Sequence, residues 1–378
     1  MALEAAGRSM ARKLVEGIAK DHGYVSEDVL GRIDRDTRRL IEEAFLKKDL
    51  MIASSVITYL CLHHFASGTD VFWIRLARNL YGSNARFIFE LLQNADDNHY
   101  SRARADGAAP YVFFHVYPHR IIIECNEDGF TPENLVAICN VGKSSKTGAQ
   151  GYIGEKGIGF KSVFMAAWKV YIQSGDFSFY FQHRKEDSGM GMITPVWQEP
   201  DHDLDGPLTR ITLFLHETGD PDFLAAQRRT ISEQFHELQA TLLLFLKNIE
   251  WIDVAFYDDQ DTMTSSVSYY IDHVSGGNRV TLKKTAVENG ETNESRRTYH
   301  VTKQLTGNLE KNENRTYSED ELRTNAYANA EVILAFPLTD GSIPIIAAQD
   351  VFAFLPVRRA GFQVQYHYIG CISRTNSP

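Results

Sequence analysis

Apolar and polar positions recur with two different periods along this chain, and the changes of period mark its elements. Met10–Lys20 and Arg35–Lys47 carry apolar residues at helical spacing, and residues 1–80 read as a helical segment. The apolar run Leu50–Phe65 is broken by Ser54, Ser55, Thr58, His63 and His64. It is too short and too polar for a membrane span and reads as a buried helix. Phe87, Ile88, Leu91 and Leu92 then predict an amphipathic helix with Glu90, Asn94 and Asp97 along one stripe, at i, i+4 and i+7.

The period falls to two at Tyr111–Tyr117 and Arg120–Cys125, which predict a hairpin across Pro118-His119. Thr131-Pro132-Glu133 offers an N-cap, a proline at the first helical position and an early acid, so a helix should run to Cys139. Strands are predicted at Lys169–Gln173, Phe177–Gln182 and Thr209–Leu215, and a surface loop at Asp187–Pro207. A long helical pattern, Pro221–Lys247, precedes strand-like runs at Trp251–Phe256, Ser266–Asp272, Arg279–Lys284, Thr298–Gln304, Glu331–Pro337 and Val351–Val357. Residues 288–328 are rich in Asn, Glu, Thr, Ser and Arg, and much of that insert is expected to be mobile. Helix between β-rich blocks predicts an α+β chain built on a two-layer α/β sandwich.

A polar stripe on an apolar helix faces water, a partner charge or a ligand. Alone, it reads as a solvated face before it reads as a site. A second element reverses that order. Gly151, Gly154, Gly157 and Gly159 allow close backbone approach to a ligand, and Phe160-Lys161-Ser162 looks like a helix start whose free N–H groups suit phosphate oxygens. Gly154 to Gly159 has P-loop spacing, but Phe160 stands where the lysine must follow, so the P-loop reading fails.

Composition narrows the classes. The 378 residues allow two domains, and 43% hydrophobic with 23% charged residues is ordinary for a globular protein. A net charge of −10 gives no strong nucleic-acid signal, since phosphate backbones need a basic footprint. The four cysteines are scattered without a CxxC pair, which fits reduced thiols in an intracellular, cytoplasmic or nuclear setting. No secretory leader shows in the first residues. His63-His64 and His115 with His119 have no acidic or cysteine partner at ligand spacing, so no metal–histidine site is expected.

The helix motif, the strand motif and the glycine loop, in that order over residues 87–164, resemble the GHKL ATPase superfamily of histidine kinases, gyrase B, ninety-kilodalton heat-shock chaperones and MutL. Within it the chain looks like the sacsin and NO VEIN group. The residues carrying that are Tyr81–Asn98, Asn126-Glu-Asp-Gly-Phe130, Val141–Lys146, Gly151–Phe164, Phe352–Pro356 and Gly361-Phe362.

This resemblance implies a Bergerat-type ATP-binding domain at 81–217, after the helical segment 1–80, and a transducer-like α+β domain at 218–378. It implies ATP and Mg²⁺ as cofactors, with Asn94 as the Mg²⁺ ligand and Glu90 as the base that deprotonates water. Asp97 would support the nucleotide from the pocket wall. Gly154, Gly157, Ile158 and Gly159 would wrap the phosphates, with Phe160, Lys161 and Ser162 at the helix start. Lys143 and Lys146 fall in the segment that resembles the ATP lid, where phosphate contact and plain surface charge are both open. Arg358-Arg359 are candidates for a γ-phosphate sensor, with a surface pair as the alternative.

One departure bears on specificity. Aligning Gly129 with the family's DxGxG motif places Cys125 where an aspartate usually accepts a bond from the adenine amino group. Asn126 is the substitute acceptor, while Asn126 and Asp128 also read as turn formers before Gly129. Thr58–Ile74 looks like an insertion, and Ile369–Pro378 does not resemble the continuation of the chain in that group. The expectation is therefore a fragment or truncated product, with protein clients or a missing C-terminal effector domain as partners beside ATP and ADP. The leading reading is Mg-ATP binding with slow hydrolysis coupled to conformational change, in a chaperone-like or regulatory role. A degenerate nucleotide-binding or interaction module without turnover is the alternative, and a histidine-kinase reading lacks its acceptor neighbours at His63-His64.

Overall fold

The structure, a computed structural model, describes residues 2–25, 29, 31–41, 87–139, 159–183, 189–204, 208–217, 220–273, 278–308, 323, 328–345, 352–353, 355–356 and 369–373. The readings at Leu50–Phe65, Thr58–Ile74, Lys143, Lys146, Gly154, Gly157, Ile158 and Arg358-Arg359 lie outside those residues.

Helix α1 (Ala2–Asp21) opens the chain. It buries Ala11, Val15 and Ala19, a stripe at i, i+4 and i+8. Arg8 pairs with Asp203, and Arg12 reaches Glu199 at 2.8 Å, which ties α1 to the chain on either side of 200. Next come α2 (Phe87–Asp96) and the short α3 (Ser101–Ala105). Strands β1 (Tyr111–Val116) and β2 (Arg120–Cys125) both show strict alternation of burial and pair antiparallel with Val112 opposite Cys125, as the period of two predicts.

Helix α4 (Pro132–Cys139) starts where Thr131 and Asn134 cap each other: Thr131 N–H donates to Asn134 Oδ1 at 2.8 Å, and Asn134 N–H to Thr131 Oγ1 at 3.3 Å. A 3-10 helix, Gly159–Met165, leads into β3 (Ala167–Ser174) and β4 (Phe177–Gln182). A 3-10 turn at Gly189–Met192 and the short β5 (Val196–Trp197) occupy the region read as a loop. Strand β6 (Thr209–Leu215) precedes α5 (Pro221–His236), capped by the Asp220 side chain. The helical pattern read to Lys247 stops at His236. A separate 3-10 helix, Ala240–Leu244, continues the apolar face and buries Leu242, Leu243 and Leu244.

The remaining strands are β7 (Trp251–Tyr257), β8 (Met263–His273), β9 (Arg279–Glu288), β10 (Glu291–Thr306), β11 (Ala330–Leu338), β12 (Phe352–Ala353), β13 (Leu355–Pro356) and β14 (Ile369–Ser373). All belong to one 14-stranded sheet, ordered β13-β12-β14-β11-β10-β9-β8-β7-β1-β2-β6-β3-β4-β5.

This corrects the expected architecture. The chain is not a helix-packed two-layer sandwich followed by a separately layered α+β unit; one mixed sheet dominates it. Strand β7 pairs parallel with β1 from Tyr111 opposite Trp251 to Val116 opposite Phe256, so the later strands extend the first sheet across residues 217–218. Backbone edges are the reason. An unpaired β1 edge offers a row of N–H and C=O groups, and β7 satisfies them. Glu291–Thr306, inside the insert expected to be mobile, is a 16-residue strand paired with β9 on one side and β11 on the other. Its C-terminal half contains the predicted run Thr298–Gln304, while residues 291–297 are all exposed and carry no alternation.

The core gathers α2, the inner faces of β1–β4 and β6, and α5: Ile88, Phe89, Leu92, Phe114, Ile121, Ile172, Phe179 and Leu213 are all nearly or fully buried. Phe114 meets Phe235 of α5 edge-on with ring centroids 5.3 Å apart. Among the described residues no helix is long and apolar enough to cross a membrane.

Candidate functional site

Helix α2 is ten residues long and buries eight of them: Phe87, Ile88, Phe89, Leu91, Leu92, Gln93, Ala95 and Asp96. The two that remain partly exposed are Glu90 and Asn94, one turn apart on one face. A carboxylate and an amide held side by side on a largely buried helix can orient water and hold a hard cation through oxygen. The Gly159–Met165 helix packs against α2, so the motif helix and the exit of the glycine-rich stretch are neighbours in space.

Asp97 comes directly after α2, is 7% exposed, and its Oδ1 lies 3.4 Å from Lys247 Nζ. Its neighbour Asp96, absent from the sequence-level site, anchors the chain before β7. Its carboxylate accepts the backbone N–H of Lys247 (2.9 and 3.0 Å), Asn248 (2.8 Å) and Ile249 (3.0 Å), and Asn248 Nδ2 donates to the Asp96 carbonyl at 2.8 Å. Burial pushes the Asp96 carboxyl up, against the pull of those three N–H donors. Gln93, also on the polar side of α2 by its spacing from Glu90, is 9% exposed, and its Nε2 has no hydrogen-bond partner among the described residues. No pattern in the chain marks Asp96 or Lys247, because their pairing spans about 150 residues. Gln93 was legible from its adjacency to Asn94.

The glycine-rich stretch is described only from Gly159 onward. Phe160 is half-buried against the core and Ser162 is 1% exposed. Lys161 points inward. Its Nζ donates to the carbonyls of Ile138 and Met192, both at 2.6 Å, and lies 4.8 Å from the Phe181 ring centroid. Burial lowers its pKa to about 8, with the neighbouring Cys139 acting the other way. Cys139 is pushed up to about 12 by the same burial. The Lys161 ammonium is thus committed to protein carbonyls in this arrangement.

The turn after β2 is equally occupied. Cys125 faces the core at 5% exposure, and burial, followed by the nearby Glu127 carboxylate, raises its pKa well above the ordinary thiol range. Asn126 accepts the Tyr111 N–H at 2.8 Å through Oδ1 and donates to the Ala109 carbonyl at 2.9 Å through Nδ2, which pins the start of β1. Asp128 takes the N–H groups of Ser101 and Arg102 at 3.0 and 2.9 Å. Partial burial acts against it, but those donors still hold its carboxyl below the ordinary range. Gly129 has φ +97°, a left-handed conformation that favours glycine, and lets Phe130 N–H reach Ser174 Oγ at 2.8 Å. The hydrogen bonds of the Asn126 and Asp128 side chains run to backbone groups 15 to 27 residues away, at the start of β1 and of α3.

On the sheet face away from α2, Glu124 accepts from Arg210 Nε and lies 3.7 Å from His115 Nε2, while His115 Nδ1 meets Tyr257 Oη at 3.1 Å. His119 lies within 3.7 Å of Glu217 and Asp259. Among the described residues no group of three or more His, Cys, Asp or Glu is placed to hold a metal.

No protein-family model matches the chain. Protein NO VEIN of Arabidopsis thaliana is 36% identical over 190 residues, a match covering 47% of this chain and 7% of the relative. The chain is thus related to NO VEIN over just under half its length, and the match spans a small fraction of that much longer protein. A crystal structure described as the N-terminal domain of a DNA repair protein aligns with a TM-score of 0.38 at 11% identity, covering 74% of this chain and 75% of that one.

Proposed function

We propose that this chain is a GHKL-type module that binds Mg-ATP, hydrolyses it slowly and couples nucleotide state to conformational change in a chaperone-like or regulatory role. The observation that supports it is α2, where Glu90 and Asn94 alone stay accessible on an otherwise buried helix beside Gly159–Met165. The donor set fits the group: Asn94 presents an amide oxygen suited to Mg²⁺, and ATP supplies the phosphoanhydride that water cleaves. Glu90 orients and deprotonates that water at its carboxylate. Asp97, held by Lys247, would support the nucleotide from the pocket wall. The scattered cysteines, without a CxxC pair, motivate an intracellular setting.

Glu90→Ala tests the assignment. It should abolish phosphate release, by at least about a hundredfold as for loss of a general base, while calorimetry shows Mg-ATP binding retained. Undiminished release from the variant would remove Glu90 from its role.

A second reading, a nucleotide-binding or interaction module without turnover, is favoured by the turn after β2. Cys125 is core-facing and both ends of the Asn126 amide serve the backbone, so neither position offers adenine the acceptor that the family's aspartate supplies. Titration with ATP, ADP and GTP, with and without Mg²⁺, separates the two: equal affinity for ATP and GTP supports the degenerate reading.

A further inference from the structure

Lys161 does something other than meet a phosphate. Its carbon chain passes through the core at 9% exposure, and its ammonium ends between the Ile138 and Met192 carbonyls, with the Phe181 and Phe160 rings at 4.8 and 5.6 Å. Ile138 is the penultimate residue of α4, so its carbonyl is among those that a helix leaves without an internal partner. Met192 closes the 3-10 turn Gly189–Met192. That turn lies hard against β4: a Cβ on Gly191 would come within 2.0 Å of the Gln182 carbonyl oxygen. One cation therefore caps the ends of two segments that are 23 and 31 residues from it in the chain, and offsets the negative potential at the C-terminal end of α4.

We propose that Lys161 is a positioning residue, which fastens Gly159–Met165 to α4 and to the 189–192 turn and so fixes that helix beside Glu90 and Asn94. The functional half of the proposal rests on the nucleotide reading above; the fastening half does not. An apolar side chain of equal length would fill the space and leave two buried carbonyls without donors. Arginine restores the donors, so rescue separates the hydrogen bonds from bulk.

The test compares wild type, Lys161→Met and Lys161→Arg by amide hydrogen exchange without nucleotide and by calorimetry with Mg-ATP. Lys161→Met should speed exchange at Leu135–Cys139 and Ser162–Met165 by about tenfold or more, as expected when charged hydrogen bonds at a helix end are lost, with β3 amides unchanged. Mg-ATP affinity should fall by a similar factor, and Lys161→Arg should recover most of both. Lys161→Gln serves if the Met variant does not fold. Equal loss of protection in β3 and α4, or unchanged Mg-ATP affinity in Lys161→Met, overturns the positioning role. If the wild type takes up no Mg-ATP, the nucleotide reading falls, and the exchange comparison alone decides the fastening.

Discussion

Removing the Asp96 carboxylate should cost more stability than any other single polar change at this site. It meets three consecutive backbone N–H groups, at Lys247, Asn248 and Ile249, with distances of 2.8–3.0 Å and no exposed edge. In Asp96→Ala those donors lose their acceptor. A buried unpaired donor costs about 1–3 kcal/mol, which gives a gross loss of about 3–9 kcal/mol. Two effects reduce it: the variant no longer buries a charge, and water can enter where the carboxylate stood. A net loss of about 4 kcal/mol remains, comparable with the full stability margin of a marginal domain. Asp96→Asn keeps one acceptor but turns an NH₂ toward a backbone donor, so about 2–3 kcal/mol is expected. Urea unfolding followed by tryptophan fluorescence reads both. A loss below about 1 kcal/mol in Asp96→Ala, with unchanged m-value, would refute the idea that this carboxylate holds the chain before β7 to α2.

The same geometry sets other outcomes. Glu124 is held below the ordinary carboxylate range, first by its bond from His115 and then by Arg210, with partial burial opposing them. A lowered folded-state pKa contributes stability that is full above the unfolded value and lost as pH falls through the folded one. The advantage of wild type over Glu124→Gln, about 1 kcal/mol for a half-buried network, should therefore shrink progressively as pH falls below the ordinary carboxylate range in urea titrations. Lys161 has the opposite sense. Its folded-state pKa is about 8 against 10.5 unfolded, so between those values the unfolded chain holds the extra proton and stability rises with pH. Relative to Lys161→Met, wild type should gain on the order of 2 kcal/mol from pH 8 to pH 10, and a flat difference would refute the burial of this amine. Gly191→Ala must displace the 189–192 turn from Gln182, at about 2 kcal/mol by thermal unfolding; a change within about 0.5 kcal/mol would show that the contact yields freely.

Local chemistry made several elements legible. The β1–β2 hairpin follows its period of two, and α4 begins at Thr131-Pro132 and ends at Cys139, because caps and alternation act within a few residues. The polar stripe of α2 was visible for the same reason, and Glu90 and Asn94 are the residues the packing leaves accessible. Only the second half of strand β10 was legible, at Thr298–Gln304; its first half, Glu291–Arg297, is exposed throughout, so pairing alone holds it and composition misleads. Lys161 and Asn126 were offered to a ligand because lysine and asparagine suit phosphate and adenine, yet their polar atoms meet backbone groups at Ile138, Met192, Ala109 and Tyr111.

By itself the amino-acid sequence determined the β1–β2 hairpin, the start and end of α4, which face of α2 stays polar, and a kinship with NO VEIN over part of the chain. Only the tertiary structure decided that β7 joins β1 and draws the later strands into one sheet, that Asp96 gathers the 247–249 backbone, and that Lys161 turns inward. Periodicity reports what a residue's near neighbours along the chain require. Hydrogen-bond partners 23 to 153 residues away are chosen by where packing brings unsatisfied backbone groups, and no local pattern encodes that meeting.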